Sequence, residues 1–180
     1  MQDIMVDIET LSTGANACVL SIGAVAFNPY NQELGEQFYV ALSDIDTQQR
    51  LGRRIDMDTL SWWVRQDEPA RRVFEEDKVS TLEGLNLFKE FVERNGSIEK
   101  AKIWGNGAFF DNVILGELYK AFGLSQPWLY YNNRCYATVR KVLGRDLTIS
   151  HTGVKHHALD DAITQAKHLQ KVYEWAGIKD

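Results

Sequence analysis

Four carboxylates in this sequence stand where apolar residues would be expected. Asp7 and Glu9 end the apolar run Ile4-Met5-Val6, with Ile8 between them. Positions i and i+2 of a strand point to one face, so the two acids project together. Like charges so placed repel unless a cation lies between them. Hard oxygen donors suit Mg²⁺ or Mn²⁺ rather than Zn²⁺. Asp111 opens a helical pattern after the glycine-bearing stretch Trp104-Gly105-Asn106-Gly107; an acid there also serves as an ordinary charge at a helix N-terminus. Asp161 lies inside the last helical pattern, beside its apolar stripe, where a carboxylate is costly unless paired or bound to metal. Just ahead of it stand His156 and His157. Singly, each has a bland alternative: a solvent-facing strand end, a cap, a surface histidine. Their joint pattern matters more than any one of them.

These residues need a scaffold to bring them together. Residues 3–8 and 18–27 read as strands joined by a Gly/Ser/Asn-bearing loop, and 35–42 as a third after the turn-like Asn28-Pro29-Tyr30-Asn31-Gln32. Three strands with short connections imply an antiparallel meander. A helix begins near Asp58; its residues Trp62 and Trp63 point about 100° apart, so at most one is free to face a ligand and one or both belong to the core. Ser80 and Glu83 form a capping box, and Leu82, Leu85, Phe88, Phe91 and Val92 recur at helical spacing. Residues 101–104 read as a short strand. From Asp111, the residues Ile114, Leu118, Ala121 and Phe122 share a helical face that Gly123 ends. Residues 134–143 read as a helix. A last helix over 159–175 buries Leu159, Ala162, Ala166, Leu169 and Tyr173. His151 and His168 belong to no motif and read as surface. The order predicts an α/β fold, a mixed sheet covered by helices.

The 180 residues are 44% apolar and 25% charged, close to the average folded domain, which excludes a disordered chain. The length suits one domain over 1–180. No apolar run approaches the roughly 18 residues of a membrane span, and the N-terminus lacks the basic and apolar segments of a signal peptide. Cys18 and Cys135 are too few for a disulfide framework and fit a reducing cytoplasm. The net charge of −5 runs against the basic balance of most nucleic-acid binders. A carboxylate-rich metal site accounts for part of it, and Arg50, Arg53, Arg54, Arg65, Arg71 and Arg72 offer a local basic face.

Three segments taken in order, Asp7-x-Glu9 within Val-Asp-Ile-Glu-Thr, Asn106 through Asp111, and His156-x₄-Asp161, resemble the motifs of the DEDD 3′→5′ exonucleases in their histidine branch, DEDDh. This ribonuclease-H-like group includes proofreading exonucleases, oligoribonuclease and RNase T. The histidine branch carries its base five residues before the final Asp, which selects His156. The tyrosine branch carries a Tyr four residues before it, and that position is His157 here. The second motif departs from many members, with four residues rather than three between Asn106 and Asp111, because of Phe109-Phe110. The stretch from Trp104 to Asn112 is most similar to phage, prophage and RNase-T-like bacterial exonucleases.

The resemblance implies a ribonuclease H-like, mixed five-stranded sheet, with an antiparallel meander first, then parallel strands, flanked by helices. It implies two divalent ions, Mg²⁺ or Mn²⁺, held by Asp7, Glu9, Asp111 and Asp161, with His156 as general base. The substrate would be the 3′ end of a single-stranded RNA or DNA and the product a 5′-nucleoside monophosphate. Thr10 and Leu11 would meet the terminal 3′-hydroxyl through their backbone, with the Leu11 side chain as a wedge against the last base. Asn106, Phe109 and Phe110 would contact substrate, the two aromatics by stacking. Several relatives are homodimers, which leaves a dimer open. The choice of RNA or DNA rests on contacts to the 2′-hydroxyl that the motifs do not identify. Two alternatives remain: a non-catalytic module that binds nucleic acid or protein on the same fold, and a ribonuclease-H-like endonuclease or strand transferase, against which His156-x₄-Asp161 argues.

Overall fold

The computed structural model describes residues 1–144 and 146–180. The chain begins with an antiparallel meander, β1 (Asp3–Thr10), β2 (Val19–Phe27) and β3 (Leu34–Ala41). β4 (Lys102–Gly105) then joins β1 in parallel, and β5 (Asn133–Cys135) joins β4 in parallel. The sheet order is β3-β2-β1-β4-β5. The expected mixed five-stranded sheet is therefore present. The helices are α1 (Ile45–Arg50), α2 (Met57–Val64), α3 (Glu68–Arg71), α4 (Thr81–Asn95), α5 (Asp111–Ala121), α6 (Tyr136–Leu143) and α7 (Ala158–Trp175).

Local chemistry explains most of these limits. Ser80 caps α4 by accepting from the Glu83 N–H at 3.2 Å. Gly123, at φ +69°, follows the end of α5 in a left-handed conformation that glycine adopts without strain. One boundary differs from the sequence reading. The segment 134–143 is not all helix, because β5 occupies its first two residues. A three-residue strand is too short to show an alternating pattern, and its pairing with β4 is what defines it.

Both faces of the sheet are covered. Ile4, Val6 and Ile8 of β1 pack with Phe88 and Phe91 of α4 and with Ile114 and Leu118 of α5. Met5, Val25, Phe27 and Trp104 pack with Ala162, Ala166 and Leu169 of α7 on the other face. Strand alternation therefore sends Asp7 and Glu9 toward the α7 side. A third cluster, with Leu11, Cys18, Leu20 and Trp63, anchors α2 near the end of β1. The first turn of α7 sits directly on β2 at Gly23. A Cβ there would lie 2.1 Å from the Leu159 nitrogen and 2.2 Å from the Ala158 carbonyl carbon. Only glycine permits so close an approach of two backbones.

The arginines do not form one free basic face. Arg53 is buried and donates to the carbonyls of Ala17, at 2.7 Å, and Ile114, at 3.1 Å. Arg50 pairs with Asp46 on its own helix. Cys18 is buried and Cys135 half-buried, and both are free thiols. Among the described residues no helix is long and apolar enough to cross a membrane.

Candidate active site

The carboxylates converge at the C-terminal ends of the parallel strands β1 and β4, the edge where open α/β sheets place their ligands. Asp7 and Glu9 come from β1, Asp111 is the first residue of α5, and Asp161 lies in the first turn of α7. With Asn106, Phe110 and His156 they line one cavity of about 390 Å³. Donor atoms of Glu9, His156 and Asp161 all lie within 4.8 Å of one another.

Crowding of buried acids dominates the electrostatics. Burial raises the Asp7 carboxyl well above the usual carboxylate range, and Asp111, Glu9 and Asp161 raise it further. Glu9 is pushed up to about 8, first by burial, then by Asp161 and Asp111. Burial pushes Asp111 up to about 6, against the opposing N–H of Asn106, which donates to its Oδ2 at 2.7 Å. Such a group of carboxylates ionises fully only beside positive charge. Hard oxygen donors with one imidazole at the rim fit a divalent cation.

A frame of hydrogen bonds holds these groups. Gln165, one helical turn after Asp161, donates from Nε2 to Asp7 Oδ1 at 2.7 Å. Its own Oε1 is buried and has no hydrogen-bond partner among the described residues. His151 Nε2 lies 2.5 Å from Asp161 Oδ1, and Asp161 Oδ2 accepts from the His156 N–H at 3.0 Å. Asp160 Oδ2 accepts from the Val154 N–H at 2.7 Å. The loop 151–157 is thus folded back onto the start of α7 by two adjacent carboxylates. His156 itself adopts φ +63°, an uncommon conformation for a residue with a side chain. The edge of its ring contact with Trp62 spans 4.8 Å between centroids. His157 does not line the cavity; it stacks on Tyr39 at 4.3 Å.

The sequence reading put His151 and His168 at the surface, and the structure corrects both. His151 is in the cavity because the loop reverses, which its chain position does not reveal. His168 is buried between α6 and α7. Gln165 was missed as well, although its four-residue step from Asp161 on a helix was a signal for a shared face.

A second cavity, of about 630 Å³, adjoins the first and shares Ile8, Glu9 and Phe110 with it. Thr10, Trp62 and Trp63 line its wall. Trp63 is buried and donates from Nε1 to the Thr10 carbonyl at 2.9 Å. Trp62 is partly open, so one tryptophan is core and the other faces the cavity. Leu11 is 5% exposed, packs into the third core cluster and lines neither cavity. Phe110 lines both cavities, whereas Phe109 is 83% exposed and lines neither.

Residues 2–173 match the model of the 3′-5′ exoribonuclease Rv2179c-like domain. The chain belongs to the Rv2179c-like family. An exodeoxyribonuclease of Enterobacteria phage T4 is 31% identical over 127 residues, covering 66% of this chain and 56% of the phage protein. The match thus spans little more than half the length of that relative. Solved structures show that this Rv2179c-like chain shares the fold of DEDDh exonucleases. The nuclease domain of 3′hExo, a DEDDh family member bound to rAMP, is 12% identical with a TM-score of 0.63, covering 99% of this chain and 94% of that one. Exonuclease X in complex with 5′ overhanging duplex DNA is 16% identical with a TM-score of 0.57, at 97% and 93% coverage. Pop2p of S. pombe in its Mg²⁺- and Mn²⁺-bound form is 11% identical with a TM-score of 0.65, at 98% and 84% coverage.

Proposed function

We propose that residues 1–180 form one exonuclease domain that shortens single-stranded nucleic acid from its 3′ end and releases 5′-nucleoside monophosphates. The observation that carries this reading is the convergence of Asp7, Glu9, Asp111, Asp161 and His156 in one cavity beside an aromatic-walled pocket. Membership of the Rv2179c-like family supports it.

Asp7 faces the other three acids and would be shared between two divalent ions, Mg²⁺ or Mn²⁺. Glu9 and Asp161 would complete the site of one, and Asp111 would hold the other. Bound ions supply charge neutralisation at the phosphate and a more acidic water. His156 takes the proton of the attacking water, a task that suits an imidazole. Gln165 and His151 orient Asp7 and Asp161. Thr10 lines the pocket that would take the terminal nucleoside, Leu11 stands behind it with its N–H donated to the Cys18 carbonyl and its carbonyl accepting from the Asp56 N–H, Asn106 supports the phosphate side, and Phe110 and Trp62 offer faces to the last base. The exposed Phe109 can reach a base only beyond the cavity. The aromatic-walled pocket of about 630 Å³ has room for a terminal nucleoside beside the carboxylates, as removal from a strand end requires.

The test is a gel assay on 5′-labelled single-stranded RNA and DNA of matched sequence, with Mg²⁺, Mn²⁺ and EDTA. A metal-dependent ladder shortening from the 3′ end is expected, and the faster substrate assigns the sugar. No shortening of either strand would favour a non-catalytic binding module. Cutting of a circular single strand would favour an endonuclease.

A further inference from the structure

The catalytic cavity shares walls with a third hollow of about 480 Å³, which has no lining residue in common with the aromatic pocket. Tyr136, Arg140 and Thr164 line both. The three hollows therefore form one groove, aromatic at one end, carboxylate-lined in the middle and basic at the other. Arg140 and Lys141 of α6 line the basic end. Lys171 and Lys167 of α7 flank it, donating to the Thr148 carbonyl at 3.0 Å and to Thr152 Oγ1 at 3.1 Å. On a chain of net charge −5, this is a local reversal of sign.

The basic end is built on a buried frame. The Arg140 guanidinium carbon lies 5.5 Å from the centre of the Tyr136 ring. The Tyr136 hydroxyl is 2.6 Å from His168 Nδ1, and His168 Nε2 is 3.0 Å from the Leu147 carbonyl. A carbonyl only accepts, so Nε2 carries the proton and Nδ1 accepts from the tyrosine. Tyr136 and His168 are 4% and 5% exposed. A neutral, fully used pair thus fixes the ring on which the guanidinium rests.

We propose that this basic hollow holds the phosphates of the substrate strand on the 5′ side of the scissile bond, with Arg140 on the nearer one and Lys141 on the next. The inference rests on the exonuclease reading above. Removing one nucleotide places a single nucleoside on the 3′ side of the reacting phosphate and the rest of the strand on the other. The aromatic pocket suits the nucleoside, and the basic hollow suits the strand. Phosphates arriving beside four carboxylates need a cationic partner of their own. A guanidinium held over a ring offers a planar pair of donors that matches phosphate.

The experiment compares Arg140→Gln and Lys141→Gln with the unaltered protein on a ten-nucleotide single strand and on thymidine 5′-monophosphate p-nitrophenyl ester, which has one phosphate and no upstream strand. We expect the ratio of kcat/KM on the strand to that on the ester to fall about tenfold for Arg140→Gln, a loss carried by KM, and less for Lys141→Gln. The slope of log KM against log salt should fall by about 0.7 for each phosphate contact removed, and Arg140→Lys should restore most of the slope. An unchanged ratio and slope in both variants would overturn the proposal, as would equal losses on strand and ester. Failure of the unaltered protein on both substrates would instead overturn the exonuclease reading.

Discussion

Asp7 stands at the centre of the acidic cluster. It is surrounded by three other acids, and Gln165 is its hydrogen-bond donor. Asp7→Asn keeps the shape and removes the charge. It should abolish turnover while raising the melting temperature of the metal-free protein at pH 8 by about 2–4 °C per kcal/mol of repulsion relieved, measured by calorimetry in EDTA. A lowered melting temperature would mean that the carboxylate helps hold the fold. His156→Ala should slow hydrolysis by about 10²–10⁴-fold with metal binding nearly intact. The control is His157→Ala, which removes a ring stacked on Tyr39 outside the cavity. If that variant shows the larger kinetic loss, His157 is the base. Asp7, Glu9 and Asp161 were legible in the sequence because strand and helix periods place them on a shared or apolar face, whereas Asp111 reads alone as a helix cap and joins them through the motif resemblance. His151 was not, because it acts through Asp161 and reaches it only when the loop doubles back.

The acids also set how the metal-free protein responds to pH. Glu9 titrates near 4.5 in an unfolded chain and is pushed up to about 8 in the fold. Between those values the folded chain keeps a proton that the unfolded chain has released. Unfolding therefore releases a proton there, and stability falls as pH rises from about 4.5 to about 8. Above that window the carboxyl is ionised in both states and the loss is constant. Melting temperatures in EDTA should decline across the window, and saturating Mg²⁺ should remove most of the decline. A flat profile in EDTA would contradict the crowding of charge described above.

At the scale of elements, the seat of α7 on β2 decides where Asp161 stands. Gly23→Ala forces a methyl group into the backbone of Ala158 and Leu159, and overpacking of this kind costs about 1–3 kcal/mol. The expected outcome is a lower melting temperature together with a lower kcat, because the displaced helix carries Asp161. A stable, fully active variant would show that the first turn of α7 shifts without consequence. Most long elements were readable from periodicity: β1, β2, β3, α4, α5 and α7 have enough residues to repeat a pattern. β5 has three residues, and α1 and α3 have six and four. Such segments exist only through their tertiary partners, so no local signal announces them.

The whole molecule combines a negative balance with a groove that changes sign along its length. The sequence alone suggested that the arginines between 50 and 72 supply the positive face. Buried Arg53 shows why composition misleads here, since a guanidinium can serve backbone carbonyls inside the core as readily as a ligand outside it. Among the described residues the cations that line the groove are Arg140 and Lys141, scarcely noticeable in the sequence as two basic residues on an amphipathic helix.

The proposed metal site joins segments far apart in the sequence. Asp7 and Glu9 belong to β1, while Asp161 and Gln165, the donor to Asp7, belong to the helix that ends at Trp175. During translation the growing polypeptide holds Asp7, Glu9 and Asp111 long before α7 can dock against β2 to complete the set. A growing chain therefore acquires the full set of proposed ligands only once α7 has been made and has docked.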